Sequence, residues 1–373
     1  MELSRRAFTS LIGSGLLLGN IQQAAYSMKH SKPVVSGFVS AASDNSNQHW
    51  LVILDTNGDI NHKLAMPSRA HQITTQLHSS IVAVAARRPG TYLMIVDTRH
   101  GKIIHELNPV TGHHFYGHAT YSADGRYLFT TENHIETGEG YIFVRDANAN
   151  YQVVNYFSSH GIGPHEIKVH PNGQTLIVAN GGILTHPDSG RAKLNLDTMS
   201  PSLVYLSIND GKLIEKVHLP KHLNQLSIRH IDINKKGLTA IAMQYQGSKL
   251  DSVPLVAVHK QGHSIKTLWA PEHINRKMKQ YCGSVCFNQS GSIFAVTSPR
   301  GNLLTLWDAI DGEYITQFRC ADVCGVNKFG THGFSFSNGL GKLYTFDMKS
   351  SVLKLVPSKD HHFAWDNHLS ILS

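Results

Sequence analysis

Charged and aromatic side chains are scarce in this 373-residue chain, at 16% and 8% of the residues. The net charge is +8, yet no long lysine or arginine run carries the excess, and no basic cluster is interleaved with aromatics. That argues against a nucleic-acid partner. It leaves a diffuse basic surface suited to an anionic membrane or an acidic protein. No phosphate-cradling loop of the form G-x-x-x-x-G-K-S/T occurs, and "GGILTHPDSG" follows an extended run but opens no helix, so it is no dinucleotide fingerprint. A G-x-S-x-G nucleophile elbow is missing too. So is any His-x-Glu-x-x-His pattern. Helical periodicity is absent throughout. Beyond the first residues no stretch is apolar enough to span ~30 Å of bilayer hydrocarbon.

The N-terminus reads "SRRAFTSLIGSGLLLGNIQQAAYS". Arg5 and Arg6 precede a short apolar run from Leu11 to Gly19, and the small residues Ala24 and Ala25 follow. Residues 1–28 are expected to be a twin-arginine signal peptide, so that the mature chain reaches the periplasm already folded. An uncleaved interfacial anchor is the alternative. The twin-arginine route favours a protein that carries a metal or cofactor.

What is present is repetition. "HWLVILDTNGDINHKL", "TYLMIVDTRHGKIIHEL" and "NLLTLWDAIDGEYITQF" are three of seven copies of an apolar run, a polar or glycine turn and a second run. Each reads as a β-hairpin. Ahead of most copies stands another pair of runs, such as "HATYSADGRYLFTTE" and "HEIKVHPNGQTLIVAN". Four short strands, A to D, repeating every roughly 40–55 residues are the pattern of a propeller blade. The expected fold is all-β, a seven-bladed β-propeller over residues 33–373 with four antiparallel strands per blade. "VVSGFVSAASD" begins the mature chain as a B strand, so blade 1 lacks its own A strand. The C-terminal "FAWDNHLSILS" supplies it, and the ring closes without open edges.

Histidine is the outlier of the composition, at 25 residues. His71, His118, His165 and His230 each stand at the start of an A strand, and His368 holds the same place in the closing strand, as "NHLSI" beside "AHQIT" and "PHEIK". Blade 6 has Ser284 near this place, and blade 7 has Val323 or Cys324. The five histidines are therefore expected to form an arc across blades 1 to 5 at one rim of the channel. Three roles fit them. The first is structural, each imidazole fixing a turn through a hydrogen bond to the next blade. The second is metal or haem binding, with iron, copper and zinc as candidate ions. Two or three neighbouring imidazoles would then ligate, with Glu132 or Glu166 completing the site. The third is a pH-responsive anion or carboxylate site formed with Arg87 and Arg300.

The loops say which face matters. The A–B turns are tight, while the B–C connections are long and polar, and the histidines share the B–C face. Binding usually resides in long loops on one face of a rigid scaffold. Arg87, Asn133, His134, Asn180, Gln244 and Arg300 are the candidate polar residues of that face, with Arg88, Glu132 and His186 nearby. The insertion from Ile183 to Pro201 is the longest loop and is expected to fold over the channel. The four cysteines form two pairs, Cys282/Cys286 and Cys320/Cys324. In an oxidising periplasm they read as disulfide candidates, with a link from Cys282 to Cys320 or Cys324 favoured. A Cys/His metal cluster is the alternative, although the spacing is not that of zinc sites.

"SRRAF", "GPHEIKVHPNGQTLIVANGGILTHPDSGRAKLNLDTMSPSL", "YCGSVCFNQSG" and "AWDNHL" resemble the bacterial domain-of-unknown-function family numbered 1513, over the whole mature chain. Blade 6, "GNLLTLWDAIDGEYI", also resembles a WD-type repeat. The resemblance implies a periplasmic propeller of unassigned activity. It also implies the company of imelysin-type iron-uptake and di-haem peroxidase-like proteins, hence an iron-handling partner. The expected function is a monomeric, non-enzymatic accessory that binds a metal or a partner at the histidine face. A metal-dependent hydrolase or oxidoreductase and a purely structural scaffold remain the other classes.

Overall fold

The computed structural model describes residues 36–190, 192–357 and 363–372; the expected signal segment, residues 1–28, lies outside them. Seven sheets of four antiparallel strands form the ring. The inner A strands are, in blade order, Ala364–Leu372, Ala70–Thr75, His113–Tyr121, Pro164–Val169, Leu226–Ile233, Ser284–Phe287 and Val323–Phe329. The middle strands read as continuous apolar runs, such as Ile81–Ala86 with the sequence IVAVAA, buried along almost their whole length. Both of their faces meet neighbouring blades, so even the polar residues of these strands, such as Ser335 and Ser337, are buried. The outer strands alternate instead: Lys102–Leu107 switches residue by residue between exposed and half-buried, as a strand with one wet face does.

The hydrophobic core lies between blades rather than within one. Ala83, Leu93 and Ile95 of blade 2 pack with Phe115, Tyr121 and Leu128 of blade 3. Phe38, Val52 and Leu54 of blade 1 pack with Leu343 and Val356 of blade 7. Tight A–B turns let the inner strands lie close to the axis; in "SADG" the turn ends on Gly125, whose φ of +73° is open to glycine and strained for other residues. One short α-helix, Glu272–Lys277, interrupts the all-strand pattern between blades 5 and 6. Its six residues span less than two turns, too few for a helical period to show in sequence.

The closing strand pairs as the sequence predicts. Gly37 faces Leu372 and Ser43 faces Ala364 in the first sheet. Side chains tie this strand to both neighbours: Asn327 of blade 7 donates to the Leu369 carbonyl at 2.9 Å, and the Ser370 hydroxyl donates to the Ile73 carbonyl of blade 2 at 2.6 Å. Among the described residues no helix is long and apolar enough to cross a membrane.

The closure sets a steric limit in blade 7. A Cβ placed on Gly325 would lie 2.5 Å from the Leu369 nitrogen, a backbone atom that cannot rotate away. Gly325→Ala should therefore wedge the closing strand off blade 7 and cost about 1–3 kcal/mol of stability. Urea denaturation checks this; an unchanged midpoint would show that the seam has slack.

Candidate functional site

The inner strands do not run in regular register past the histidines. In blade 2 the pairing skips from Ala70 to Ile73, in blade 3 from Phe115 to Ala119, in blade 4 from Pro164 to Glu166, and in blade 5 from Ile228 to His230. The closing strand skips between Trp365 and Leu369. These are β-bulges, which bend a strand and re-aim its side chains. Of the two blades with no histidine here, blade 6 pairs without a skip from Ser284 to Phe287, while blade 7 skips from Val323 to Val326. The bulges turn the imidazoles inward, and the expected arc at a rim is instead a compact cluster on the channel axis. His71 lies 4.9 Å from His118 and 4.7 Å from His368 between ring centroids, and His165 lies 4.8 Å from both His118 and His230. His230 and His368 are 5.0 Å apart. Gly117 permits the approach: a Cβ there would stand 2.9 Å from the His71 ring.

The five imidazoles are 1–8% exposed. Burial, followed by the Asp366 contact that opposes it, leaves His71 at about 4. Burial and then the charge of the neighbouring imidazoles hold His118 and His368 well below the ordinary range, and Arg229 adds to this for His165. These four rings are therefore neutral. Two carboxylates support the cluster. Glu166 accepts from His230 Nδ1 at 3.1 Å, from the Ile231 amide at 3.0 Å and from Gln72 at 3.5 Å, and pairs with Lys168 at 3.1 Å. Burial disfavours its charge, but Lys168 and His230 outweigh that and bring it down to about 2. Asp366 lies 3.7 Å from His71 Nδ1 and bonds Arg69.

Above the cluster opens a cavity of about 760 Å³, reached by His71, His165 and His230. On its other side a chamber of about 130 Å³ is lined by His368, Glu166, Lys168 and Asp232. Arg87, Gln244 and Arg300 line the large cavity as expected, and so does the insertion after Ile183, through Thr185, His186 and Lys193. Asn133, His134 and Asn180 do not. Asn180 donates to the Ser159 carbonyl and the Ser202 hydroxyl, Asn133 donates to the Gly138 carbonyl, and His134 packs edge-on against His113. Glu132 accepts from Arg145 at 2.9 Å and from the Thr130 hydroxyl, a pairing internal to blade 3, and stands in neither imidazole triad described below. Asp366, Arg229 and Tyr116 were not foreseen. The signal for the first two was adjacency: Asp366 stands two residues before His368, and Arg229 directly before His230.

The cysteines are four free, buried thiols. The expected Cys282 bridge is not formed because the pairs do not share a face. The blade 6 inner strand begins only at Ser284, so Cys282 precedes it and packs with blades 4 to 6, whereas Cys286 packs towards blade 7 with Cys320. Burial pushes the Cys282 thiol up to about 12.

A model of the family described as "Protein of unknown function (DUF1513)" matches residues 64–372. No curated protein matches the sequence. Among solved structures, Kuenenia stuttgartiensis hydrazine synthase is similar with a TM-score of 0.59 at 12% identity, covering 92% of this chain and 99% of that one. At that identity the likeness concerns the fold.

Acid should unfold the cluster. His71 takes up a proton near 6.5 when exposed and near 4 in the fold, so folding favours its neutral form and that contribution is full above about 6.5 and is lost as pH falls towards 4. Glu166 acts in the same direction at lower pH. The melting temperature of metal-stripped protein should be level above neutrality and fall through this window; a rise would contradict a neutral His71.

Proposed function

The chain belongs to the DUF1513 family, and on that footing we propose that it is a periplasmic metal-binding propeller that holds one transition-metal ion in the imidazole cluster and serves as a non-enzymatic accessory to metal handling. One observation carries the reading. His71 Nδ1, both nitrogens of His118, His165 Nδ1 and His368 Nε2 are buried without a hydrogen-bond partner. Imidazoles that only fixed turns would bond to neighbouring blades, as His230 does to Glu166. An unpaired buried polar group costs ~1–3 kcal/mol; His71 Nδ1 and His118 Nδ1 have carboxylate oxygens of Asp366 and Glu166 at 3.7 and 3.8 Å, but His118 Nε2, His165 Nδ1 and His368 Nε2 are left for a ligand.

Two triads have donor atoms within 4.8 Å of one another: His71, His118 and His165, and His118, His230 and His368. A tetrahedral ion with ~2.1 Å bonds sets its nitrogens about 3.4 Å apart, so an ion would draw the donor atoms of either triad closer together than they stand without it. Neutral imidazole suits iron, copper and zinc. Glu166 behind His230 and Asp366 beside His71 are the outer carboxylates that orient such ligands. Either triad supplies three ligands, and the two imidazoles outside it close around the ion, which favours holding or passing on the metal. Export by the twin-arginine route, through Arg5 and Arg6, and a periplasmic iron-handling partner complete the proposal.

Because His118 belongs to both triads, it is the residue to change. Protein exported through its own signal and titrated with iron, copper and zinc in turn should bind one equivalent of a single ion by elemental analysis. His118→Gln, with folding confirmed by circular dichroism, should bind less than a tenth of that. A wild type that takes up none of the three, or a folded variant with full occupancy, would overturn the proposal.

A further inference from the structure

The large cavity carries a second chemistry, independent of whether the imidazoles below it hold an ion. Its walls bring in Arg87, Arg88, Lys193, Arg229, Lys249 and Arg300, and among the described lining residues there is no carboxylate. These cations come from different blades. Arg87 and Arg88 sit in the B–C loop of blade 2, Lys193 in the blade 4 insertion, Lys249 in the blade 5 loop, and Arg300 in the blade 6 loop after Ser298. Like charges from four separate loops converge on one space at the mouth of the channel. Lys193 registers this: burial, then Arg229, Arg300 and Arg88, lowers its pKa.

Arg229 is the decisive residue. It is the bulged residue between Ile228 and His230, it is 7% exposed, and it lines the cavity. Its Nε and Nη1 have no hydrogen-bond partner. A buried guanidinium without a counter-charge is costly, and since the other buried carboxylates and guanidinium of the described residues, Glu132, Arg145, Asp146, Glu166 and Asp366, are all paired, it is an exception that a ligand would resolve. Two other guanidinium groups are braced by aromatic rings, Arg88 over Tyr116 at 5.4 Å and Arg300 over Tyr281 at 4.2 Å. A ring holds a guanidinium by its face and leaves its N–H edge free, and that edge matches a carboxylate in a bidentate pair.

We propose that this cavity binds a small polycarboxylate, its carboxylates shared among Arg229, Arg88 and Arg300. The space of about 760 Å³ is that of a small organic molecule. Cations on opposite walls suit several carboxylates on one carbon skeleton rather than a single compact oxyanion.

Calorimetric titration of the full chain, stripped of metal and at low salt, with tricarballylate tests this without involving the imidazole triads. One site is expected, with affinity at least about tenfold above that for inorganic phosphate or chloride, weakening as salt is added. Arg300→Ala should lower the affinity about tenfold or more. Arg229→Met should abolish the heat and, by removing an unpaired buried charge, raise the melting temperature of the unliganded protein. A purely structural arginine would do the opposite, and a lower melting temperature counts against the proposal. No binding, equal binding of phosphate, or unchanged affinity in both variants would overturn it. Loss of metal binding in His118→Gln with tricarballylate binding intact would separate this site from the metal site.

Discussion

Five imidazoles crowd one axis in this protein, and burial holds His71, His118, His165 and His368 in their neutral form there. Ring centroids under 5 Å apart, as for His71, His118 and His368, would be repulsive if the rings were cationic. Burial disfavours the cationic form of His71, His118 and His368, and in the neutral form that repulsion is absent. The two carboxylates that touch the group, Glu166 and Asp366, are tied to Lys168 and Arg69, so they orient the rings more than they charge them.

That constraint reaches outward through the fold. His368 comes from the last strand and His71 from blade 2; they meet only because the last strand completes the first sheet. The same seam carries the hydrogen bonds of Ser370 and Asn327, so the ring closure and the cluster form together. The bulges are the local device. Each histidine blade gives up regular pairing for a few residues where its ring turns inward; blade 7 makes the same skip without a histidine, and blade 6, with Ser284 in that place, keeps its ladder. In blade 5 the bulge does two things at once, sending His230 to the axis and Arg229 up into the cavity.

The propeller was legible because hairpin turns and apolar runs repeat with a fixed period, and that rhythm survives divergence of individual residues. The histidines were legible for the same reason: they recur at one place in the repeat. Their depth was not. A bulge leaves no mark in a single sequence, so a rim was expected where the chain builds a plug. Glu132 looked like a ligand because it lies near the B–C face, yet Arg145, thirteen residues on and in the adjacent strand, takes it up. The cysteines misled through the assumption that a strand runs through both members of a pair; Cys282 precedes its strand. Arg229 was hidden by standing beside a more conspicuous neighbour.

If the cluster holds an ion, X-ray absorption at the metal edge will see its first shell. The expected result is a shell of at least three imidazole nitrogens at ~2.0–2.1 Å, with the outer-ring scattering of histidine and no sulfur. A sulfur shell, or a shell of oxygens alone, would place any bound metal elsewhere and leave the imidazoles as packing.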